Sequence, residues 1–172
     1  MCMSSDRFVE KSNGIWVRSR SLFFDNRGFF SEIFRKYDFR DLEFEINQCS
    51  VSFSKKDVVR GLHSQTSQWQ LITLVKGEIT EFVFDPRIVG SGKNRKHVFN
   101  LQDTQPNQVL LAPGIFHGFH VISEEAYIVY HTSTMYEREL EERINLVSEF
   151  KDLYSFPPDI VMSQLDLDVQ NS

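Results

Sequence analysis

Two segments of the chain carry histidine in settings where an imidazole could move protons. In residues 58–65, a short apolar run leads to Arg60 and His63. In residues 111–120, His117 lies among glycine and aromatic residues. Histidine changes charge near neutral pH, so either ring could act as a general base. The alternative for each histidine is a structural role, in which the hydrogen bonds of its ring are satisfied within a strand.

The spacing within these segments decides whether the side chains can meet. Residues three apart on a strand point to opposite faces, so Arg60 and His63 share one cleft only if Gly61 introduces a bulge. His117 and His120 are also three apart and should diverge. The chain has no His-x-His pair, so we expect no metal site.

Two further segments offer ligand-binding groups. Residues 25–34 contain Arg27, whose planar fork suits phosphate or carboxylate, followed by phenylalanines that could stack on a base or sugar. The alternative is a hairpin with an exposed arginine and core rings. Residues 127–141 gather tyrosine, histidine and glutamate, although tyrosines are also common as core rings with hydrated hydroxyls.

The elements that must position these groups are short and β-rich. About eleven runs of β-forming residues recur at spacings near ten residues, which predicts an all-β sandwich or barrel, most simply a jelly roll. The predicted strands are residues 15–18, 21–24, 29–35, 45–53, 58–63, 70–76, 78–85, 97–100, 108–111, 116–122 and 126–131. A few short helices are predicted over residues 37–42, 136–144 and 147–154.

Length and charge restrict the classes of function. A chain of 172 residues predicts a single domain over 1–172, with 1–12 and 167–172 as candidates for flexible ends. The net charge of -5 argues against nucleic acid and anionic membrane as partners. Two cysteines and the absence of a long apolar run predict a cytoplasmic protein with no membrane span.

The order and spacing of these segments resemble the dTDP-4-dehydrorhamnose 3,5-epimerase family of cupins. The shared motifs are Asp-x-Arg-Gly-Phe-Phe-x-Glu at 25–32, Arg-Gly-Leu-His at 60–63, a Gly-Glu hairpin at 77–78, an altered Pro-x-Gly-Phe-x-His-Gly-Phe motif at 113–119 and Tyr-x-Thr-x-x-x-Tyr at 130–136. The resemblance covers most of residues 21–145, and a looser match follows at 162–166. It implies a cupin-type jelly roll of two packed antiparallel sheets.

The resemblance also implies roles for individual residues. His63 is similar to the base that removes a proton beside a C4 ketone, with Asp166 as the carboxylate that orients it. Tyr130 is similar to the acid that returns a proton to the opposite face. His117 would support the site, and Arg60 would hold the diphosphate or the enolate.

A second group is implied around the nucleotide. The residues are Arg27, Phe30, Glu32, Gln48, Tyr136 and Glu141. In this family the first strands cross to a partner subunit, so Arg27 and Glu32 are expected to complete the neighbour's site in a homodimer with strand exchange. No cofactor is expected.

Three positions depart from the family pattern. Gln70 stands where a lysine close to the developing enolate oxygen is usual, Ser50 replaces an asparagine, and His131 replaces the lysine after the acid tyrosine. We expect Gln70 and Ser50 to contact the substrate and His131 to point away from Tyr130. Gln70 donates a hydrogen bond but carries no charge, so epimerisation at a single carbon, C3 or C5, becomes an alternative to epimerisation at both.

The sequence therefore predicts an isomerase of deoxysugar biosynthesis that inverts C3, C5 or both in a nucleotide-linked 4-keto-6-deoxy sugar through an enolate. A GDP- or CDP-linked deoxysugar or heptose remains an alternative substrate. Two other functions stay open on the same fold: a sugar-nucleotide 3,4-ketoisomerase, and a non-catalytic cupin that binds a sugar nucleotide.

Overall fold

The computed structural model describes residues 7–42, 44–88, 95–105 and 107–169, and β-strands predominate among them. The strands are β1 Val9–Ser12, β2 Ile15–Ser19, β3 Phe23–Asp25, β4 Gly28–Phe30, β5 Gln48–Lys55, β6 Val59–Gln65, β7 Gln70–Lys76, β8 Glu78–Phe84, β9 Lys96–Gln102, β10 Asn107–Leu111, β11 Phe116–Val121, β12 Glu125–Thr132 and β13 Glu141–Arg143. The helices are α1 Leu146–Phe150 and α2 Gln164–Leu167, with 3-10 turns at Lys36–Phe39 and Arg138–Leu140.

Two antiparallel sheets form the body of the fold. The six-stranded sheet has the order β1-β2-β10-β7-β12-β5, and the five-stranded sheet has the order β13-β6-β11-β8-β9. The hairpin β3-β4 forms a separate two-stranded sheet. This arrangement confirms the predicted all-β jelly roll with short helices at its periphery.

The main hydrophobic core lies between the two sheets. Ile72 and Leu74 on β7 and Ile79 and Val83 on β8 are fully buried in one cluster, as the alternation of strand side chains requires. The intervening Phe82 belongs to a second cluster, which α1 covers. The five-stranded sheet is thus packed on both faces, which holds in place the strands β6 and β11 that carry part of the site.

The structure differs from the predicted elements at three places. Residues 136–144 were expected to be helical, but only Arg138–Leu140 form a 3-10 turn, and β13 at Glu141–Arg143 pairs with β6, because pairing with a sheet edge outweighs a weak helix pattern. Of residues 29–35, only the first two lie in a strand, as the end of β4. The strand Val9–Ser12 was not predicted, although it pairs with β2.

The C-terminal segment docks on the body of the protein. Ser163 caps α2 by accepting a hydrogen bond from the backbone N–H of Asp166, and the Asp166 side chain is buried. Residues 1–6 and 170–172, at the two ends expected to be flexible, lie outside the described residues. None of the helices in the described ranges has the length and apolar character needed to cross a membrane.

Candidate active site

A cavity of ≈ 410 Å³ opens between the two sheets. One wall comes from β6 and β11 of the five-stranded sheet, and the opposite wall comes from β5, β7 and β12 of the six-stranded sheet. The lining side chains are Gln48, Ser50, Ser52, Arg60, His63, Ser64, Gln65, Gln68, Gln70, His117, Phe119, Tyr130, Thr132, Tyr136 and Glu141. The volume is in the range of small-molecule sites.

A bulge in β6 turns Arg60 and His63 into this cavity. His63 pairs with His117 and Gly61 pairs with Gly118, so the register shifts between the two pairs. Gly61 has φ +106°, and a Cβ there would lie 2.6 Å from the Cα of Gly118. The bulge that the sequence analysis made the condition for a shared cleft is present, and it requires glycine.

His63 is held by a carboxylate from the C-terminal helix. Its Nε2 lies 2.7 Å from Oδ1 of Asp166, whose side chain is 3% exposed. Burial by itself would raise the pKa of Asp166, but hydrogen bonds from His63 and Ser163 and the charges of His63 and Arg143 hold that pKa below its ordinary value. The carboxylate is therefore charged at neutral pH and can orient the imidazole.

Sequence reasoning missed Arg143, which completes this cluster. Arg143 pairs with His63 in the β13–β6 register, and its Nη1 lies 2.7 Å from Oδ1 of Asp166 and 2.9 Å from Nε2 of His63. Its Nη2 donates to Glu141, a residue of the cavity lining. The only signal would have been a strand assignment for residues 141–143, which the predicted helix excluded.

A second buried pair, also missed, lies beside the first. Nδ1 of His117 is 2.9 Å from Oε1 of Glu81, whose side chain is fully buried. Burial raises the pKa of Glu81, while the contact with His117 opposes that rise. The signal was present in the sequence, because Glu81 alternates in phase with Ile79 and Val83 on β8 and so must point inward.

Tyr130 faces the histidines from the other sheet. It lies on β12, its ring centroid is 6.0 Å from that of His117, and its hydroxyl is 3.5 Å from Oγ of Ser52. Burial raises the pKa of Tyr130, with a smaller opposing effect from the charge of Arg60. The hydroxyl is therefore protonated and can donate a proton.

Neutral polar groups line the remainder of the cavity. Gln48 donates to Ser50 over 3.1 Å and accepts from the backbone N–H of Tyr136 over 2.7 Å, and the Tyr136 hydroxyl donates to Glu141 over 3.3 Å. Gln70 is buried on the cavity wall, and within the described residues its amide has no hydrogen-bond partner. That amide is available to a ligand.

Three residues expected near the nucleotide lie elsewhere in this chain. Arg27, Phe30 and Glu32 belong to the β3–β4 hairpin and the segment after it, and none of them lines the cavity. Arg27 pairs with Asp25 of the same hairpin, and its side chain is 84% exposed. The structure thus brings His63, Asp166, Tyr130, His117, Arg60, Gln48, Ser50, Gln70, Tyr136 and Glu141 together and leaves the hairpin residues outside.

Two remaining expectations concern the other histidines. His131 is buried against Phe34, with ring centroids 5.6 Å apart, and does not line the cavity, which confirms that it points away from Tyr130. His120 bonds the Tyr154 hydroxyl rather than sharing a site with His117. In the part of the chain that the structure describes, no three side chains of His, Cys, Asp or Glu converge as metal ligands would.

The fold and the site together define a cupin-type jelly roll equipped for acid–base chemistry. A family model described as dTDP-4-dehydrorhamnose 3,5-epimerase matches residues 10–171. Because the match spans almost the whole sequence, the chain belongs to the dTDP-4-dehydrorhamnose 3,5-epimerase family, as the motifs indicated.

Individual relatives agree with this assignment. A dTDP-4-dehydrorhamnose 3,5-epimerase of Shigella flexneri is 34% identical over 128 residues, which cover 71% of this chain and 70% of the relative. A dTDP-4-dehydrorhamnose 3-epimerase of Streptomyces niveus is 28% identical over 138 residues, covering 77% and 67% of the two chains. The crystal structure of a 4-keto-6-deoxy sugar epimerase from Streptomyces spheroides superposes with a TM-score of 0.85 at 26% identity, covering 96% of this chain and 86% of that one.

Proposed function

We propose that this protein inverts C3, C5 or both in a dTDP-linked 4-keto-6-deoxy sugar through an enolate. The observation that carries the proposal is the placement of His63 and Tyr130 on different sheets around one cavity. Inversion at a carbon requires a proton to leave one face and another to arrive at the opposite face. An imidazole on one wall and a phenol on the other meet that requirement.

In the proposed reaction, His63 removes the proton beside the ketone. Its Nε2 faces Asp166, and Nδ1 has no hydrogen-bond partner within the described residues. When Nε2–H donates to Asp166, the lone pair of Nδ1 is free to accept the proton from C3 or C5. The C–H electrons then form the C=C bond, and negative charge moves to the C4 oxygen.

Tyr130 then supplies the proton on the opposite face. The raised pKa of this buried phenol keeps it protonated until the enolate forms. Loss of the proton leaves a phenolate, which the nearby Ser52 hydroxyl and the charge of Arg60 stabilise. The C4 ketone is restored, and both groups return to their starting states by exchange with solvent.

Gln70 is proposed to donate its amide hydrogen to the C4 oxygen. A neutral donor stabilises an oxyanion less than an ammonium group does, and the cost is a few kcal/mol of barrier. The family includes an enzyme named as a 3-epimerase as well as enzymes named as 3,5-epimerases. The weaker stabilisation is the feature that would favour one inversion over two.

Solvent deuterium tests this function directly. Incubated with dTDP-4-keto-6-deoxyglucose in D₂O, the wild-type protein should introduce label at C3, C5 or both, as read by ¹H NMR and mass spectrometry. His63→Asn should abolish the incorporation, while His97→Asn on β9, outside the cavity, should retain it. Absence of label with the wild-type protein would remove the epimerase proposal.

We also propose that the protein acts as a homodimer in which the β3–β4 hairpin completes the partner's site. Four hairpin phenylalanines are 52–72% exposed, namely Phe23, Phe24, Phe29 and Phe30. Exposed rings of this density indicate a surface that another chain covers. On the partner's cavity, Arg27 and Glu32 would add the charged groups that bind the nucleotide, with Phe30 available for stacking.

A complementation experiment tests the shared site. Arg27→Ala and His63→Asn chains, each inactive alone, should regain about a quarter of the wild-type activity when unfolded together and refolded as a random dimer mixture. That recovery arises because one site of each heterodimer holds both intact residues. Recovery of no activity would contradict the contribution of Arg27 to a partner's site.

The proposed location is the cytoplasm. The Cys49 side chain is exposed and unpaired in the structure. A free exposed thiol suits a reducing compartment.

A further inference from the structure

Arg143 occupies an unusual place next to the proposed base. Nη1 of Arg143, Nε2 of His63 and Oδ1 of Asp166 form a triangle with sides of 2.7, 2.7 and 2.9 Å. Arg143 does not line the cavity, so it acts on a ligand only through its neighbours.

The three contacts of this triangle cannot all be hydrogen bonds at the same time. Nε2 of His63 either carries a proton and donates to Asp166, or carries a lone pair and accepts from Arg143. The contact with Asp166 is the shorter of the two, and a carboxylate acceptor gives the stronger hydrogen bond. The tautomer of His63 with a proton on Nε2 is therefore favoured. Arg143 then places its positive charge against a ring that itself becomes positive when it accepts a proton.

We propose that Arg143 is a positioning residue that restrains the basicity of His63. It does so in two ways: it shares the Asp166 carboxylate with His63, and it places a positive charge against the ring that must become imidazolium. Asp166 and Arg143 thus act on the same nitrogen in opposite directions. The proposal rests on the proposed function only for the role of His63 as the base.

The other charged and titratable groups around His63 are compatible with the opposing effects of Asp166 and Arg143. Asp166 comes from α2, Arg143 and Glu141 come from β13, and His117 faces His63 from β11. Glu141 and Asp166 share the guanidinium group, while His117 is itself paired with Glu81. Arg60 on the same strand and Tyr130 on the opposite sheet line the cavity without a hydrogen bond to the His63 ring.

The consequence for turnover concerns the return of the proton. An imidazolium held by Asp166 alone would keep the proton that it had removed, which slows the next cycle. A guanidinium group at 2.9 Å opposes the imidazolium and promotes release of that proton to solvent. Arg143 should therefore set the pH at which the base is available.

The ionisation of the His63 ring can be measured without any substrate. In ¹H–¹³C and ¹⁵N NMR titrations, assigned with His63→Asn, Arg143→Met should move the midpoint of the His63 ring to higher pH by about one unit. Arg143→Lys, which keeps the charge, should stay close to wild type, and Asp166→Asn should move the midpoint to lower pH. If Arg143→Met does not fold, Arg143→Gln removes the same charge and should give the same upward shift. An unchanged or lower midpoint on loss of the charge would overturn the proposal.

The pH dependence of deuterium incorporation separates this inference from the proposed function. In Arg143→Met, the acid limb of the rate profile should move in the same direction as the ring titration. A structural role alone would lower the rate equally at every pH and leave the midpoint in place, which would contradict the proposal. If the midpoint moves but no 4-keto sugar takes up label, the proposed function fails and the inference about Arg143 stands.

Discussion

The cavity between the sheets and the β3–β4 hairpin both carry charged and aromatic side chains. Around the cavity these side chains are held by other elements, whereas on the hairpin they are exposed. Around the cavity, His63, His117 and Tyr130 lie on core strands, and carboxylates or hydroxyls from other elements hold them. On the hairpin, Arg27 is 84% exposed and its salt bridge is to a neighbour two residues away. Long-range contacts hold the cavity groups, whereas Arg27 is held by a contact within its own hairpin.

This difference separates acid–base groups that one chain holds in place from a surface that the proposed partner chain would cover. In the cavity, burial raises the pKa of Tyr130 and of Glu81, so the packing of one chain favours the protonated form of these two groups. The hairpin has no buried polar group of its own, and its aromatic rings face solvent. Substitutions should therefore have large effects at the cavity and small effects on the hairpin within a single chain.

The largest expected effect is at the bulge that shapes the cavity. Gly61→Ala combines a strained φ with a Cβ 2.6 Å from the Cα of Gly118, and we expect a loss of about 3 kcal/mol or more in the free energy of unfolding. Gly28→Ala in the hairpin has a φ of +134° but nothing within 4 Å of the added Cβ, so strain alone should cost about 1 kcal/mol. Urea unfolding of the two variants measures the difference, and equal losses would contradict the contrast.

The next effect concerns the oxyanion donor on the cavity wall. Gln70→Met removes the proposed hydrogen bond without changing the size of the side chain greatly, and kcat/KM should fall about 10²-fold. Gln70→Lys supplies the cation that the resemblance to the family led us to expect at this position, and it should raise kcat/KM above wild type. Steady-state rates measure both variants, with thermal unfolding as the check on folding. A neutral outcome for Gln70→Met would remove this residue from the mechanism.

A smaller effect follows from the lowered pKa of Asp166. The folded protein loses this proton more readily than the unfolded chain, so the carboxylate stabilises the fold above its ordinary pKa of 3.8. That contribution disappears as the pH falls through the lower folded-state pKa. The stability difference between wild type and Asp166→Asn should therefore be present at pH 7 and shrink toward pH 3.

Urea unfolding at both pH values measures this difference, with the exposed Asp159→Asn as the matched control. Asp159→Asn should differ little from wild type at either pH. A difference for Asp166→Asn that grows on acidification would have the wrong sign for a carboxylate with a lowered pKa.

The smallest effect within one chain is expected on the hairpin. Phe24 is 72% exposed, so Phe24→Ser should change the free energy of unfolding of the monomer by less than about 0.5 kcal/mol. The same change should weaken self-association about tenfold, because a phenylalanine side chain would be removed from the proposed interface. Sedimentation across a range of concentrations measures this, and an unchanged self-association would place the interface elsewhere.

The parts of the site that could be predicted are those carried by local motifs. Strand alternation predicts the divergence of His117 and His120, and it makes a bulge at Gly61 the condition for Arg60 and His63 to share one cleft. The jelly roll follows from many short strands at regular spacing. These features depend on neighbouring residues, so the sequence contains enough information to fix them.

The parts that could not be predicted depend on pairing between distant segments. Arg143 meets His63 only because β13 joins the edge of β6, and no local preference of residues 141–143 specifies that partner. Glu81 reaches His117 from a strand 36 residues away in sequence. The docking of α2 brings Asp166 to His63 across 103 residues, and here only a motif match pointed to the contact.

The central claim, that His63 and Tyr130 transfer protons on opposite faces of the sugar, is tested most directly by comparing exchange with inversion. In D₂O, Tyr130→Phe should still exchange the proton beside the ketone through His63, but inversion at that carbon should fall by about 10²-fold or more. The matched control Tyr37→Phe, on an exposed turn, should retain both. ¹H NMR of the recovered sugar nucleotide reports label and configuration together. Label without inversion in Tyr130→Phe is the predicted result, and undiminished inversion in that variant would contradict the account.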